Sequence, residues 1–410
     1  MIHRMQPQSA APAAGQPLPL EGITVVAVEQ AVSAPFATRQ LADLGARVIK
    51  VERVDGGDFA RGYDTAAAGL ASHFVWCNRG KESIALDLKD PRGLEVVRRL
   101  VADADVFVQN LAQGAAARLG LDAATLCAVH PRLIAVDISG YGATGPYAGK
   151  RAYDMLVQCE AGLVSVTGTP ERPVKAGIPA ADIAAAMYAF SGVLAALVRR
   201  GTTGRGGPVE VSMLEALAEW MGHPLHHAMH GGTPPARTGL AHAVIAPYDA
   251  YPTTDGGRVL LSVQNDREWR RLAEQVLAQP ELGSAPAFAT NAARVVNRDR
   301  TDALVGKALA ALTADEAVAR LERAGIACAR LRDVREVAEH PQLAARDRWR
   351  EVESPVGPLR ALLPPITLPG GDTARMGAVP ALGEHTGALL RAVGMTDDEI
   401  AALRRDGVAA

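Results

Sequence analysis

Residues 23–51 read ITVVAVEQAVSAPFATRQLADLGARVIKV and decide the class of fold. The apolar run at 23–28 predicts a short strand that is buried on both faces of a sheet. Residues 35–44 predict a helix that Gly45 ends, and the run at 47–51 predicts the next strand. A strand, a helix and a second strand in this order form a βαβ unit with parallel strands.

The same alternation continues along the first part of the chain. Further strands are predicted at 83–88, 106–108 and 133–138, and Asp90-Pro91 starts a helix between two of them. Helices that separate consecutive strands in this way indicate a doubly wound parallel sheet. We therefore expect an α/β fold with a large Rossmann-like domain.

Two segments rich in Gly or Pro, 231–239 and 355–369, are predicted to be linkers. Between them short strands and helices alternate, and Thr313 with Glu316 matches a capping box, which predicts a smaller α+β domain. Residues 1–19 are rich in Ala, Gln and Pro and lack the apolar core of a secretion signal, so we expect a disordered tail there.

The composition argues against several classes of protein. The 410 residues include 43 Lys and Arg against 45 Asp and Glu, and this net charge of −2 argues against a nucleic-acid-binding protein. No run of eighteen apolar residues lacks a charge, so we expect no membrane span. The four cysteines form neither a CxxC pair nor a zinc-type cluster, which predicts free thiols, no metal site and a cytoplasmic protein.

Polar and cationic residues flank the predicted strands, although the chain contains neither a G-x-G-x-x-G fingerprint nor a Walker loop. Cations in these loops would suit a phosphorylated ligand at the edge of a parallel sheet. Taken alone, each is more simply a solvated surface side chain. The residues are Arg53, Asn78, Arg79, Lys81, Asn110, Arg118 and Arg151.

Asp182 is a lone carboxylate at the start of an apolar helix predicted at 180–199. One interpretation is a first-turn acid that stabilises the helix electrostatically. The other is a nucleophile, because small neighbours leave room for a thioester and desolvation would strengthen the attack. Tyr153-Asp154 and the string SGYGATGPY at 139–147 are either an ordinary helix start and turn or further parts of a site.

Four histidines lie on a helix predicted at 213–230 and kinked at Pro224. Two pairs of them are four residues apart, a spacing that can bind a metal ion. Neither an H-E-x-x-H motif nor a nearby acidic set completes a site, so we interpret them as ordinary side chains of the core or the helix surface. They are His223, His226, His227 and His230.

Taken in chain order, these strings resemble the class III CoA-transferases, a family that includes formyl-CoA transferase, carnitine CoA-transferases and α-methylacyl-CoA racemases. The resemblance covers residues 20–405, and the combination of strings is specific although no single string is. The strings are SAPFATRQLADLGARVIKVER (33–53), NRGKESIALDLK (78–89), DVFVQN (105–110), PRLIAVDISGYGATGPYAGKRAYD (131–154), ADIAAAMYAFSGVLAAL (181–197), GRGGPVEVSMLEAL (204–217) and LGEHTGALLRAVGMTDDEI (382–400).

The resemblance implies that Asp182 is the nucleophile. Its carboxylate would attack an acyl-CoA thioester and form a mixed anhydride. CoA thiolate would return to give an aspartyl-CoA thioester, from which an acceptor acid would take the CoA. Because one thioester is exchanged for another, this chemistry needs no ATP, no nucleotide cofactor and no metal.

The resemblance also implies a set of coenzyme A-binding positions, among which Arg53 and Arg118 are the expected phosphate partners. The turn at 139–145 would help to hold the pantetheine or the reacting carbonyl. The positions are Val32, Ser33, Arg53, Cys77, Asn78, Arg79, Gly80, Asn110, Leu111, Arg118, Arg151, Tyr153 and Asp154.

Tyr153 stands where the racemases of this family carry a proton-shuttling histidine. A phenol is a poor base at neutral pH, so we expect CoA transfer rather than racemisation. One alternative is an α-methylacyl-CoA racemase or epimerase. The other is intramolecular CoA migration between the two carboxylates of one substrate, such as mesaconyl-CoA.

The strings at 152–189 and 210–239 look most like the branch of the family that handles C4 and C5 dicarboxylates, including succinyl-CoA-dependent transferases for itaconate or mesaconate. A second carboxylate needs a cation or hydrogen-bond donors, for which the candidates are Arg237, His242 and Tyr248. Each of them is as simply a solvated linker residue. The chain lacks the glycine-rich loop found over the oxalate site of formyl-CoA transferase, which disfavours oxalate.

The expected architecture also follows by resemblance. Family members are interlocked homodimers of two ring-like chains, and their large domain joins the N-terminal part to the C-terminal segment. The expected ranges are a disordered tail at 1–19, a Rossmann-like CoA-binding domain at 20–230, a linker and small domain at 231–355, and a return segment at 356–410 that completes the large domain.

Overall fold

The computed structural model describes residues 17–232, 234–368 and 374–410, so most of the predicted tail at 1–19 lies outside the described residues. The chain divides into two compact units. The first contains the described residues up to Gly162, Ala176–Gly222 and Arg346–Ala410; the second contains Leu163–Lys175 and His223–Ala345. The units divide after residues 222 and 345, whereas the sequence analysis places the boundaries at 231 and 355. Residues 163–175 belong to the second unit, and nothing in the sequence indicates this.

The strands and helices have the following bounds. The strands are β1 (Thr24–Val28), β2 (Arg47–Glu52), β3 (Lys81–Ala85), β4 (Val106–Gln109), β5 (Ile134–Ser139), β6 (Gly207–Ser212), β7 (Tyr248–Pro252), β8 (Arg258–Ser262), β9 (Ala327–Arg330), β10 (Trp349–Val352) and β11 (Leu359–Leu362). The α-helices are α1 (Ser33–Asp43), α2 (Ser72–Asn78), α3 (Pro91–Ala102), α4 (Ala115–Leu119), α5 (Ala123–Val129), α6 (Asp154–Glu160), α7 (Leu163–Val166), α8 (Ala180–Thr203), α9 (Met213–Trp220), α10 (Gly222–Gly231), α11 (Asp266–Gln275), α12 (Asn291–Val296), α13 (Arg298–Leu309), α14 (Ala314–Arg323), α15 (Val334–Ala338), α16 (Pro341–Ala345), α17 (Thr386–Ala392) and α18 (Asp397–Arg405).

Six strands of the first unit form one sheet in the order β3-β2-β1-β4-β5-β6, and every neighbouring pair is parallel. This order confirms the predicted doubly wound, Rossmann-like sheet. Four of the five strands predicted above begin and end within one residue of their observed bounds. The exception is β3, which ends earlier than predicted because the N–H of Asp87 donates to the carbonyl of Val408 instead.

Helices cover both faces of this sheet. On one face α1 packs against α8, whose buried residues are mostly alanine and permit a close approach. On the other face, α3, α5, α17 and α18 share an apolar core with the strands. Phe107, Leu389 and Ile400 belong to this core, so the C-terminal helices are part of the first unit rather than an appendage.

The helix α8 is long and apolar enough to cross a membrane by length and composition alone. Of its most apolar window, 44% is buried inside the protein. The core helices of soluble proteins pass the same test, and α8 packs on α1, β5 and β6.

The second unit contains the three-stranded antiparallel sheet β7-β8-β9. Its core surrounds Trp269 on α11, a side chain that is completely buried. The helix α14 begins at a capping box of Thr313 and Glu316, which confirms the sequence signal for that helix start.

The single helix predicted at 213–230 is in fact two helices. The first, α9, ends at Trp220 and α10 begins at Gly222, so the break precedes Pro224 and the predicted kink at that residue is wrong. Pro224 lies in the first turn of α10, where its missing N–H costs no intrahelical hydrogen bond.

We expect Gly206→Ala to destabilise the first unit. A Cβ at Gly206 would lie 2.1 Å from the carbonyl oxygen of Leu133 and 2.5 Å from that of Arg132, beside the start of β6. These backbone oxygens cannot move without disturbing the pairing of β5 with β6. The free energy of unfolding should therefore fall by about 1–3 kcal/mol.

Gly201→Ala is the matched control for this prediction. Gly201 lies near the end of α8, and nothing lies within 4 Å of its Cβ position. Ala is favoured over Gly in a helix by roughly 0.5–1 kcal/mol, so this variant should be slightly more stable than the wild type. Urea denaturation followed by circular dichroism compares the two, and equal midpoints would contradict the tight packing at Gly206.

Candidate active site

A cavity of about 860 Å³ lies at the carboxyl ends of β1, β4 and β5 in the first unit. In a doubly wound sheet the loops after β1 and β4 diverge, and the crevice between them is the usual ligand site. The first turns of α1, α6 and α8 also reach this cavity. Its lining comprises 30–33, Phe59, Tyr63, His73, 110–113, 138–141, 148–155, Pro179, Asp182 and Met213.

Asp182 lies in the first turn of α8 and contributes a partly buried carboxyl to this cavity. The residue before the helix, Pro179, supplies no side-chain cap. The cap comes instead from Asp154 at the start of α6. Its Oδ1 accepts hydrogen bonds from the N–H of Ala181 (2.8 Å) and from the N–H of Asp182 (3.3 Å).

Gln158 holds the carboxylate of Asp154 in position through its second oxygen. Its Nε2 donates to Oδ2 of Asp154 (2.7 Å), and its Oε1 accepts from the N–H of Ala176 (3.0 Å). Gln158 is fully buried, so these bonds are shielded from water. Gln158 therefore holds two things in place: the segment before α8, through Ala176, and the carboxylate of Asp154, which caps α8.

The environment of Asp182 raises the pKa of its carboxyl to about 7. Burial is the largest cause, and the negative charge of Asp154 adds to it, since both disfavour ionisation. Hydrogen bonding from the hydroxyl and the backbone N–H of Ser33 acts in the opposite direction. Ser33 is the first residue of α1, where backbone N–H groups have no partner within the helix.

This arrangement suits Asp182 to nucleophilic attack on a carbonyl. A carboxyl with a pKa near 7 is far more basic than an ordinary aspartate, and it is still about half ionised at neutral pH. The residues beside it in the helix, Ala181 and Ile183, are uncharged, so no neighbouring side chain in the helix pairs with the carboxylate.

Aromatic hydroxyls contribute hydrogen-bond donors to the cavity. Burial, followed by the charges of Asp58 and Asp182, raises the pKa of Tyr63 to about 12, so its hydroxyl stays protonated. The hydroxyl of Tyr141 is buried and has no hydrogen-bond partner among the described residues. Nearby, the Nζ of Lys150 lies 4.2 Å from the centre of the Tyr147 ring and pairs with Glu160.

A family model for CoA-transferase family III matches residues 20–386. The chain belongs to CoA-transferase family III. It is therefore an enzyme that uses acyl-CoA thioesters and carboxylates as substrates, and the resemblance seen in the sequence is confirmed.

Similar proteins cover nearly the whole of this CoA-transferase. It is 34% identical to the succinate–glutarate CoA-transferase of Agrobacterium fabrum, over 91% of this chain and 95% of that one. It is 36% identical to the acetyl-CoA:oxalate CoA-transferase of Acetobacter aceti, over 80% of this chain and 85% of that one. The crystal structure of a CAIB/BAIF family protein from Brucella suis superposes with a TM-score of 0.83 at 34% identity, covering 92% and 100% of the two chains.

Eight of the seventeen site residues predicted for this CoA-transferase meet in the cavity. The structure brings together residues that are up to 150 positions apart in the chain, from β1 to α8. Those that line the cavity are Val32, Ser33, Asn110, Leu111, Arg151, Tyr153, Asp154 and Asp182.

Four predicted coenzyme A-binding residues lie outside the lining of this cavity, and their role toward coenzyme A stays a prediction. Cys77 and Asn78 are fully buried, and Arg79 makes two hydrogen bonds to the carboxylate of Asp43. Gly80 donates its N–H to the carbonyl of Ala378. These residues precede a parallel strand, so they enter the sheet at its amino end, whereas the cavity lies at the carboxyl ends.

Arg53 and Arg118, the expected phosphate partners, are exposed and do not line the cavity. The Nε of Arg53 donates to the carbonyl of Gly57 (3.2 Å), and Arg118 ends the short helix α4. They follow β2 and β4, the strands on either side of β1. Their role toward a phosphate stays a prediction.

The three residues predicted to bind a second carboxylate lie in the second unit. The guanidinium of Arg237 donates to the carbonyls of Thr169 (2.9 Å), Pro170 (2.9 Å) and Ser165 (3.3 Å), so all three of its nitrogens already serve the backbone. Arg237 thus holds residues 163–175 within the second unit, and its role toward a second carboxylate stays a prediction. The ring of His242 stacks on that of Tyr248 at 5.1 Å, and the role of this pair stays a prediction.

The histidines of α10 are exposed, and the rings of His226 and His230 stack at 5.5 Å. Across the described ranges, no group of three or more His, Cys, Asp or Glu side chains could hold a metal ion. The four cysteines are free thiols.

Sequence reasoning missed several residues of the cavity, notably Gln30, Tyr63, His73 and Lys150. Gln30, Tyr63 and Lys150 lie in irregular segments, His73 lies in the first turn of α2, and none of the four matches a motif by spacing. One signal was present in the composition. The chain has only seven tyrosines, and three of them line this cavity, so the rare aromatic residues in loops after strands were candidates.

We expect Asp154→Asn to lower the pH at which Asp182 ionises. The substitution removes the adjacent negative charge but keeps an oxygen that can accept from the N–H groups of Ala181 and Asp182. In the wild type, kcat/KM for an acyl-CoA should rise with pH to a plateau, with a midpoint near 7. The variant's midpoint should be lower by about one pH unit.

Asp122→Asn is the control for charge removal alone, because Asp122 caps α5 and does not line the cavity. Its pH profile should overlay that of the wild type. A midpoint for Asp154→Asn that is unchanged or higher would contradict the electrostatic coupling of the two carboxyls.

Proposed function

We propose that the enzyme moves CoA from an acyl-CoA donor to a dicarboxylic acid, with Asp182 as the covalent nucleophile. A carboxylate oxygen of Asp182 attacks the thioester carbon, the carbon–sulfur bond breaks, and CoA leaves as a thiolate. The product on the enzyme is a mixed anhydride. The thiolate then attacks the aspartyl carbonyl carbon, releases the donor acid as a carboxylate, and leaves an aspartyl-CoA thioester.

The second half of the reaction reverses this sequence with a different acid. The acceptor carboxylate attacks the aspartyl-CoA thioester, and CoA thiolate leaves as a new anhydride forms. The thiolate then attacks the acyl carbon of the acceptor and frees the Asp182 carboxylate. Charge balances because each of the four attacks consumes one anion, a carboxylate or a thiolate, and releases another. Overall one thioester replaces another, so the reaction needs no external energy source.

The observation that carries this proposal is the carboxyl of Asp182 itself. It lies in the cavity at the start of α8, and its pKa is raised to about 7. A carboxylate of this basicity attacks a thioester better than an ordinary aspartate does.

We further propose that the substrates are C4 or C5 dicarboxylates, with succinyl-CoA as the donor. Relatives named for succinate and glutarate support this class. The cavity also contains cationic or ionisable side chains that could pair with a second carboxylate: His73, Lys150 and Arg151. A relative named for oxalate is similarly close, so oxalate belongs among the acceptors to be compared.

We also propose that the enzyme is a homodimer, interlocked as the resemblance implies. Large apolar side chains of the first unit are exposed on α6 and α8, including Leu156 (46%) and Val198 (73%). Light scattering should give twice the chain mass of 42.9 kDa. A mass of one chain at micromolar concentration would contradict the proposal.

Asp182→Asn and Asp182→Ala should both abolish CoA transfer, lowering kcat by about four orders of magnitude or more. Removal of the nucleophile prevents formation of the anhydride, whereas the rest of the cavity remains to bind CoA. Incubation of the wild type with succinyl-CoA, followed by borohydride or hydroxylamine and mass spectrometry, should place a mass change on Asp182. The affinity for CoA, measured by calorimetry, should change little in the variants.

Asp122→Asn is the matched control and should form the adduct like the wild type. Turnover by Asp182→Ala near the wild-type rate would contradict covalent catalysis by this residue. Acceptors to be compared are glutarate, mesaconate, itaconate and oxalate, with butyrate as a monocarboxylate. Incorporation of solvent deuterium at the α-carbon without an acceptor would indicate a racemase instead. CoA exchange within mesaconyl-CoA alone would indicate intramolecular migration.

A further inference from the structure

The loop between β1 and α1, residues 29–32, contains a residue in an unfavourable backbone conformation. Ala31 has a φ of 62°, in the left-handed region that residues with a Cβ seldom adopt. Such a conformation persists only where surrounding contacts impose it. Gln30, Ala31 and Val32 all line the cavity, so the shape of this loop is part of the shape of the ligand site.

Asp58 supplies the contact at Ala31 itself. Its Oδ1 accepts from the N–H of Ala31 (3.0 Å) and from the N–H of Ala60 (2.9 Å). Its Oδ2 pairs with Nζ of Lys50 (2.8 Å). Asp58 does not line the cavity, so it can affect a ligand only through its neighbours. These are the loop after β1 and Phe59, which lines the cavity in the short turn that Asp58 also caps.

Asp58 is fixed in turn by buried partners. Its own N–H donates to Oε2 of Glu52 (3.0 Å), and Nζ of Lys50 also lies 3.4 Å from Oε1 of Glu29. Lys50, Glu29 and Asp58 are all buried, so their charges are shielded from water. Because breaking a buried ion pair is costly, the carboxylate of Asp58 stays in one position.

The contact at Ala31 requires a carboxylate, because a carboxylate has two acceptor oxygens. One serves backbone N–H groups, and the other serves the ammonium group of Lys50. An asparagine would have a single acceptor oxygen, for which a charged ammonium group competes more strongly than a backbone N–H does. The amide nitrogen would then face the N–H of Ala31, and the left-handed conformation would lose its support.

We propose that Asp58 is a positioning residue of the ligand site: it holds Ala31 in the left-handed conformation and so keeps the loop after β1 in the shape that binds coenzyme A. The inference rests on the proposed place of coenzyme A in this cavity, but not on the identity of the nucleophile. A protein whose binding-competent conformation is only partly populated binds its ligand more weakly in proportion. Turnover of the substrate once bound need not change.

The test is a double-variant cycle with Asp58→Asn and Ala31→Gly. Calorimetry gives the Kd for CoA, and steady-state kinetics gives kcat and the KM for succinyl-CoA. Asp58→Asn should raise Kd and KM by about tenfold, with kcat within about threefold of the wild type. Glycine adopts a positive φ at no steric cost. In the Ala31→Gly background, Asp58→Asn should therefore raise Kd by less than about threefold.

Asp105→Asn is the matched control for a lost carboxylate. Oδ2 of Asp105 accepts from the N–H of Thr24 (2.9 Å), and Oδ1 pairs with Nη2 of Arg200 (2.9 Å). The same two kinds of bond are thus made at the opposite end of β1, away from the cavity. This variant should lower the melting temperature without changing the Kd for CoA.

The conformation of Ala31 has a test of its own. Ala31→Gly should raise the melting temperature by about 1–3 °C, because it relieves the left-handed alanine. Ala66→Gly, at an exposed loop residue without a positive φ, should lower it. Equal shifts in the two variants would contradict the strain at Ala31. Should Asp58→Asn fail to fold, Asp58→Ser takes its place in the cycle, because a hydroxyl also has only one oxygen.

An unchanged Kd in Asp58→Asn would overturn the inference. So would a rise that Ala31→Gly leaves undiminished, because Asp58 would then act through Phe59, and so would a fall in kcat with Kd unchanged. These results would leave the proposed function in place if mass spectrometry finds the adduct on Asp182. Absence of that adduct together with full activity of Asp182→Ala would instead overturn the proposed function, and not this inference, which is read from CoA affinity.

Discussion

The hydrogen bonds from the first N–H groups of α8 to the carboxylate of Asp154 are the constraint on which the site depends. They replace the missing side-chain cap at Pro179 and hold the start of α8 against α6, with Gln158 as the buried support. The same carboxylate repels the charge on Asp182. One side chain therefore both places the candidate nucleophile and increases its basicity.

This arrangement carries a cost in stability. A carboxyl whose pKa is about 7 in the folded protein and 3.8 in an unfolded chain binds more protons in the folded state between these values. Stability therefore falls as the pH rises from about 4 to 7 and stays lower above 7, where the ionised carboxylate is also the reactive form. Hydrogen bonding from Ser33 limits this cost, as does the position of Asp182 in the first turn of α8.

The parallel sheet explains why these groups can meet at all. The order β3-β2-β1-β4-β5-β6 makes the loops after β1 and β4 neighbours across the crevice, which allows Asn110 to bond to Gln30 eighty positions earlier in the chain. The ion pairs of Lys50 with Glu29 and Asp58 lie beneath the same crevice and are closed to water. These buried ion pairs hold Asp58, which binds the N–H of Ala31 and so keeps the loop after β1 in place. Without such contacts Ala31 would leave its left-handed conformation.

The sequence alone determined the parallel sheet, since apolar runs such as 23–28 and 47–51 follow a local period that needs no distant partner. It also singled out Asp182, by its isolation in an apolar helix and by the family resemblance. Only the tertiary structure decided which polar residues share the cavity: Arg79 and Arg237 bind other parts of the protein, whereas Tyr63 and His73 belong to the site without any motif. Side-chain partners across the sheet depend on strand order and loop paths, which are non-local, and no spacing along the chain encodes them.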